Sequence, residues 1–218
     1  MPVNLLLIYF ATALAAYLLG SIPTGFLIAK AKGLDIRSIG SGNIGATNAM
    51  RVLGKPAGIF VLLADAAKGF AAVKWLPALM LKIWGANNFD PEILGIIAGI
   101  FTVLGHNYTC WLKFKGGKGV ATTAGVFLAL APWALLVALL VFILALLLTK
   151  YVSVASISAA VALPAAVWIM TPQTVLLGVI ATALGLLAIY KHKGNIERLI
   201  AGTENRMSKK SSIPDEAK

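Results

Sequence analysis

Cysteine occurs once in these 218 residues, histidine twice, and acidic side chains only eight times. A single cysteine excludes an internal disulfide framework, and Cys110, in an apolar stretch, reads as a packing residue. Two histidines and one cysteine form no cluster with metal-ligand spacing, so no metal is expected. Charged residues make up 12% of the chain, where soluble domains carry about 25%, and an ordinary soluble domain is thereby excluded. The pattern of a cleavable leader is missing too. Met1-Pro2-Val3-Asn4 has no positive charge, and the apolar run behind it reaches Ala29, longer than a signal h-region of about 7 to 15 residues. Despite the Ala13-Leu14-Ala15 match to a cleavage site, this run reads as a retained span. No internal repeat is evident.

What is present is hydrophobic: 59% of the residues, arranged in long runs. A membrane span needs about 20 apolar residues for a hydrocarbon core of about 30 Å. Val3 to Ala29, Ala57 to Leu81, Pro91 to Tyr108, Val154 to Met170 and Thr174 to Tyr190 meet that description. Gly119 to Leu148 is too long for one ordinary span, at roughly 45 Å as a single helix. Pro132 near its middle removes a backbone donor, which divides the run into Gly119 to Leu130 and Trp133 to Leu148. The expectation is an all-α, polytopic membrane protein of seven helices. Residues 1–206 form its one domain, and 207–218 form a polar, disordered tail.

Charge supports that count. Seven spans with the N-terminus outside place sixteen of the nineteen Lys and Arg on one face, leaving Lys74 and Lys82 opposite and Lys68 within the second span. Reading Gly119 to Leu148 as one span would send the basic C-terminal segment outside, against the positive-inside rule. The cation excess is thus assigned to the cytoplasmic membrane face, and no nucleic-acid partner is expected.

Three glycine- and cation-rich segments interrupt the apolar runs, all on that face: Gly40-Ser41-Gly42-Asn43-Ile44-Gly45-Ala46-Thr47-Asn48 with Arg51, Phe114-Lys115-Gly116-Gly117-Lys118-Gly119, and His192-Lys193-Gly194-Asn195. Each has the composition of an anion site, with glycines that let N–H groups approach, small polar donors, and a cation. Gly40-x-Gly42-x-x-Gly45 matches the dinucleotide fingerprint formally, but it follows a membrane span and not a strand of a βαβ unit. It reads better as a nest feeding a short helix, capped by Ser41 or Asn43 and ended by Gly54 and Pro56, with Thr47 and Arg51 on one face. The second segment is not a Walker A loop, since Gly119 follows Lys118 where Ser or Thr would hold magnesium; no nucleotide or other cofactor is expected. In the third, a surface helix would put His192 and Asn195 on one face and Ile196, Leu199 and Ile200 against the bilayer. Two questions stay open at this point: whether His106 packs a helix end or binds a ligand, and whether Asp65 and Lys68 form a structural or a catalytic pair. His192 and Glu197 come near a His-x4-Asp arrangement, but the acid is the wrong one.

Taken together, Gly20-Ser21-Ile22-Pro23, the three segments, Asp65 with Lys68-Gly69, and Val120-Ala121-Thr122 closely resemble the bacterial acyl-phosphate-dependent glycerol-3-phosphate acyltransferases, the PlsY family. The resemblance runs to about Arg206, departing in the tail and around Asn87 and Asn88. It implies transfer of a fatty acyl group from acyl phosphate to the 1-hydroxyl of glycerol 3-phosphate at the bacterial plasma membrane, giving lysophosphatidic acid and inorganic phosphate. The candidate catalytic residues are Ser41, Arg51, His192 and Asn195. The candidate phosphate-binding residues are Gly40, Gly42, Asn43, Thr47, Lys115, Gly116, Gly117 and Lys118. Whether a soluble acyl-phosphate synthase docks on the basic face stays open. The competing class is a transporter or channel for a phosphorylated solute, whose site would lie near the bilayer midplane.

Overall fold

The computed structural model describes residues 5–84 and 90–207; the loop around Asn87 and Asn88, and the tail from residue 208 onward, lie outside them. Ten α-helices are described: α1 Leu5–Ser21, α2 Thr24–Ala31, α3 Ala46–Leu53, α4 Lys55–Trp84, α5 Pro91–Asn107, α6 Val120–Leu130, α7 Pro132–Thr149, α8 Val152–Met170, α9 Val175–Lys191 and α10 Lys193–Ile200. A 3-10 turn, Cys110–Leu112, follows α5. Among the described residues five stretches are long and apolar enough to cross a membrane, six if α9 and α10, bent by 52° at His192, count as one broken span.

Proline sets several boundaries. Pro132 occupies the first position of α7, where its missing N–H costs nothing, and Ala131 ahead of it is non-helical at φ −149°. The division of the 119–148 run therefore falls where expected. The first span is less regular than its composition suggests. It breaks at Ile22-Pro23, because Pro23 has no N–H to continue α1, and α2 restarts behind it. Pro56 does not stop α3; Gly54 ends it at φ 95°, and Pro56 sits in the opening turn of α4.

Small residues bring the helices into close contact. A Cβ on Gly20 of α1 would strike the Thr102 carbonyl of α5, and one on Gly125 of α6 would strike the Ala66 carbonyl of α4. Such approach gains dispersion contact where lipid offers no hydrophobic drive for helices to associate. The outer surface is apolar. Helix α7 buries only Ala134, Leu135 and Ala138, while Leu140, Leu147 and Leu148 are exposed, as suits a lipid-facing helix. Asp65 and Lys68 lie inside the bundle as a pair at 2.8 Å, which avoids the cost of an unpaired charge in hydrocarbon.

Candidate active site

The first segment is organised by a residue that composition does not single out. Asn48, in the first turn of α3 and 1% exposed, donates through Nδ2 to the carbonyls of Ile36, Ile39 and Asn43 and accepts the Ser41 N–H on Oδ1 at 2.9 Å. These bonds fold the 36–45 loop around one amide, with Gly40 and Gly42 in left-handed conformations at φ 65° and 68°. The nest expectation needs correction here. The N–H groups of Ser41, Gly42 and Gly45 go to Asn48, Ile39 and Asn43, so they are not presented to an anion. Asn43 accepts from Gly45 without capping α3, whose N-cap residue is Gly45 itself. The segment offers the cavity the side chains of Ser41, Asn43, Thr47 and Arg51, together with the first turn of α3. Asn48→Ala would orphan four loop groups, and we expect it to lower stability by about 2 kcal/mol or more. The check is a lower Tm with unchanged helix content.

The second segment is laid over the end of α5. Gly116 N–H donates to the Asn107 carbonyl at 3.2 Å and Gly117 N–H to the His106 carbonyl at 2.9 Å. Cβ atoms on Gly116 and Gly117 would collide with the His106 carbonyl and the His106 ring, so close approach, and not an anion, explains these glycines. Positive φ at Lys113 and Phe114 turns the chain so that Lys115 is exposed and lies outside the cavity. Lys118 points inward. Behind it, Gly119 at φ 79° opens α6, and Lys118, Gly119, Val120 and Ala121 line the cavity. The first turns of α3 and α6 therefore both face one space, each with N–H groups that lack intrahelical partners.

The third segment closes the site. His192, at the bend after α9, is 3% exposed, and its Nδ1 lies 2.7 Å from the Ala188 carbonyl. A carbonyl only accepts, so the ring proton sits on Nδ1 and Nε2 carries a lone pair. Burial, reinforced by the charge of Lys118, lowers the His192 pKa to about 4, keeping the ring neutral. Lys118 Nζ donates to Asn195 Oδ1, and Asn195 Nδ2 donates to Glu204 Oε1 at 2.7 Å. Arg198 Nε donates to Glu204 Oε2, also at 2.7 Å. Burial would raise the Glu204 pKa, but the bonds from Asn195 and Arg198 outweigh it and hold the carboxylate ionised. Burial also lowers the Lys118 pKa to about 8, with Glu204 opposing the shift.

Ser41, Asn43, Thr47, Arg51, Lys118, His192 and Asn195 thus meet around one cavity of about 290 Å³, whereas Gly40, Gly42, Lys115, Gly116 and Gly117 do not line it. Asn48, Glu204 and Arg198 belong to the site although their residue types alone did not mark them. Glu204 arrives because Gly202, at φ 70°, turns the chain back over α10; Glu197, the acid that spacing pairs with His192, is exposed. Among the described residues no three His, Cys, Asp or Glu side chains converge as a metal site. The polar cavity runs into an apolar slot between α6, α7, α8 and α9, with Val120, Ala124, Leu139, Phe142 and Ser156 common to both.

The geometry is thus a cavity lined by Arg51 and Lys118 that opens into an apolar slot. Residues 10–202 match the family model described as glycerol-3-phosphate acyltransferase. Glycerol-3-phosphate acyltransferases of Geotalea daltonii and Geobacter metallireducens are 47% and 49% identical to it, each alignment covering 88% of this chain and 94% and 93% of the relative. The crystal structure of PlsY, an integral membrane glycerol 3-phosphate acyltransferase, in its glycerol 3-phosphate form superposes with a TM-score of 0.80 at 40% identity, covering 92% of this chain and 96% of that one. Its lysophosphatidic acid form gives 0.77 at 39% identity, covering 91% and 94%. With this match over most of its length, the chain belongs to the glycerol-3-phosphate acyltransferase family and is an integral membrane acyltransferase of the PlsY type.

Proposed function

We propose that the protein transfers a fatty acyl group from acyl phosphate to the 1-hydroxyl of sn-glycerol 3-phosphate, releasing lysophosphatidic acid and inorganic phosphate on the cytoplasmic side of a bacterial plasma membrane. The observation that carries this reading is the pairing of two helix N-termini, α3 and α6, with Arg51 and Lys118 around one cavity that continues into an apolar slot. Two phosphates need two electropositive poles, and an acyl tail needs a dry groove beside them. The solved relative's glycerol 3-phosphate and lysophosphatidic acid forms support the same pair of ligands.

In this reading Lys118, Ser41 and the α6 N-terminus hold the acyl phosphate, with its tail in the slot. Arg51, Thr47, His192, Asn195 and the α3 N-terminus hold glycerol 3-phosphate. The hydroxyl oxygen attacks the acyl carbon, the carbon–oxygen bond to phosphate breaks, and the hydroxyl proton passes to the departing phosphate. A phosphate second pKa of about 6 exceeds the value of about 4 at His192, so the phosphate is the better base and the imidazole orients the hydroxyl. Positioning and charge neutralisation supply the acceleration.

Topology follows from the same site. Seven spans, from α1–α2 together, α4, α5, α6, α7, α8 and α9, put the three segments and the C-terminus in the cytoplasm and the N-terminus outside. Helix α6, about 16 Å long, covers part of the bilayer, and Lys118 and Gly119 at its start line the polar cavity, where irregular backbone is tolerated. A reporter after Lys218 is expected to be cytoplasmic and one at Asn87 external; a cytoplasmic signal at Asn87 contradicts the topology. The activity is tested with purified protein, acyl phosphate and labelled glycerol 3-phosphate. Lysophosphatidic acid formation is expected, while solute uptake into vesicles without product would establish the transporter alternative.

A further inference from the structure

The mechanism above makes no use of Asp65, Lys68 and His106, although Asp65 and His106 reach the wall of the same cavity. Lys68 Nζ stands 2.8 Å from Asp65 Oδ1, 3.1 Å from the Ile22 carbonyl at the break between α1 and α2, and 3.0 Å from His106 Nδ1. An ammonium has three N–H donors and no lone pair, so these contacts use all of its hydrogens and make His106 Nδ1 an acceptor. Asp65 Oδ1, at 3.6 Å from that nitrogen, is beyond hydrogen-bond distance and orients Lys68, not the ring. The ring proton of His106 is therefore on Nε2, the opposite tautomer to His192.

That proton has an unusual setting. His106 is 6% exposed, and among the described residues nothing accepts from its Nε2. Gly117 packs against Nε2 so closely that any Cβ would strike it, and the same glycine donates its N–H to the His106 carbonyl. Gly117, packed on the ring, is followed directly by Lys118, and His106, Lys118 and Gly119 line the same cavity. His106 lines the cavity, and a neutral ring N–H there is a ready donor to an anion that enters it.

We propose that His106 Nε2–H is a phosphate-binding donor for the phosphoryl group held by Lys118 and the α6 N-terminus, fixed in that tautomer by the buried Asp65 and Lys68 pair. This rests on the proposed function for the identity of the ligand, acyl phosphate. A neutral donor at this point adds a bond to the anion without a further buried charge, and it leaves the departing phosphate free to take up a proton.

The chain has only two histidines, so protein labelled with 15N-histidine shows two ring systems, and loss of one in His106→Gln assigns them. Expected are a proton on Nε2 in His106 and on Nδ1 in His192, with inorganic phosphate shifting the His106 Nε2 resonance. A His106 proton on Nδ1, or a His106 ring that saturating phosphate does not move, overturns the inference. Turnover gives a second reading. Glutamine places an amide N–H near the Nε2 position, whereas asparagine reproduces only the acceptor at Nδ1. His106→Asn is expected to raise KM for acyl phosphate about 10- to 100-fold, leaving KM for glycerol 3-phosphate within about threefold, while His106→Gln stays within about threefold for both. If asparagine restores acyl-phosphate KM as well as glutamine does, the ring serves only to pair Lys68 and the inference is wrong. Wild-type protein that makes no lysophosphatidic acid would instead overturn the proposed function, and the phosphate titration would still decide the role of His106.

Discussion

Lys118→Met is expected to lower kcat/KM for acyl phosphate by about 100- to 1,000-fold, the cost seen when one preorganised donor to a developing anion is removed. Lys118 is the side chain on which the second and third segments converge, bonded to Asn195 and placed just before α6. Methionine keeps the length of the stem and removes only the ammonium, so helix packing is preserved. A pH effect accompanies it. Burial lowers the Lys118 pKa to about 8, and a bound phosphate favours the charged form. Wild-type KM for acyl phosphate should therefore be flat below pH 8 and rise above it, as the ammonium is lost. The Met variant should lose that rise while keeping its high KM throughout. A variant whose KM still climbs above pH 8 would place the titrating group elsewhere.

Arg51→Lys is expected to lower kcat/KM for glycerol 3-phosphate by about 10- to 100-fold, although charge is conserved. Arg51 lies one turn beyond Thr47 on α3, and both line the cavity beside the first turn of that helix. A planar guanidinium grips two phosphate oxygens at once, whereas an ammonium meets them as a point charge on a flexible stem. Steady-state kinetics with each substrate varied in turn provide the check, and an effect confined to acyl-phosphate KM would exchange the two phosphate assignments.

The helices were largely legible because their signals are local. Pro132 has only one comfortable place at a helix start, and its position in an overlong apolar run dictates where α6 and α7 part. Pro23 carried the same information, but the run around it reads as one span by its hydropathy, which does not mark the break. The site was legible in part. Thr47 with Arg51 and His192 with Asn195 are near neighbours in helical spacing, and their shared faces follow from period alone. What spacing could not supply is long-range pairing. Asn48 acts by bonding its one amide to four loop backbone groups, which depends on where residues 36–43 fold. Glu204 reaches Asn195 and Arg198 only because Gly202 reverses the chain. The glycines of the second segment invited a phosphate-loop reading, yet Gly116 and Gly117 spend their N–H groups on the end of α5. Glycine permits close approach without naming what approaches.

The central claim is direct transfer within one cavity, with Ser41 placing phosphate and carrying no acyl group. Ser41 lies on the cavity wall, and its N–H is fixed by Asn48; among the described residues no hydrogen bond joins its hydroxyl to a histidine or carboxylate that would activate it. The most direct measurement incubates the wild-type protein with labelled acyl phosphate alone and follows covalent label, with Ser41→Ala as the companion variant. The account predicts that Ser41→Ala loses most activity while the wild-type protein retains no label. A stoichiometric, hydroxylamine-sensitive adduct mapped to Ser41 would contradict it.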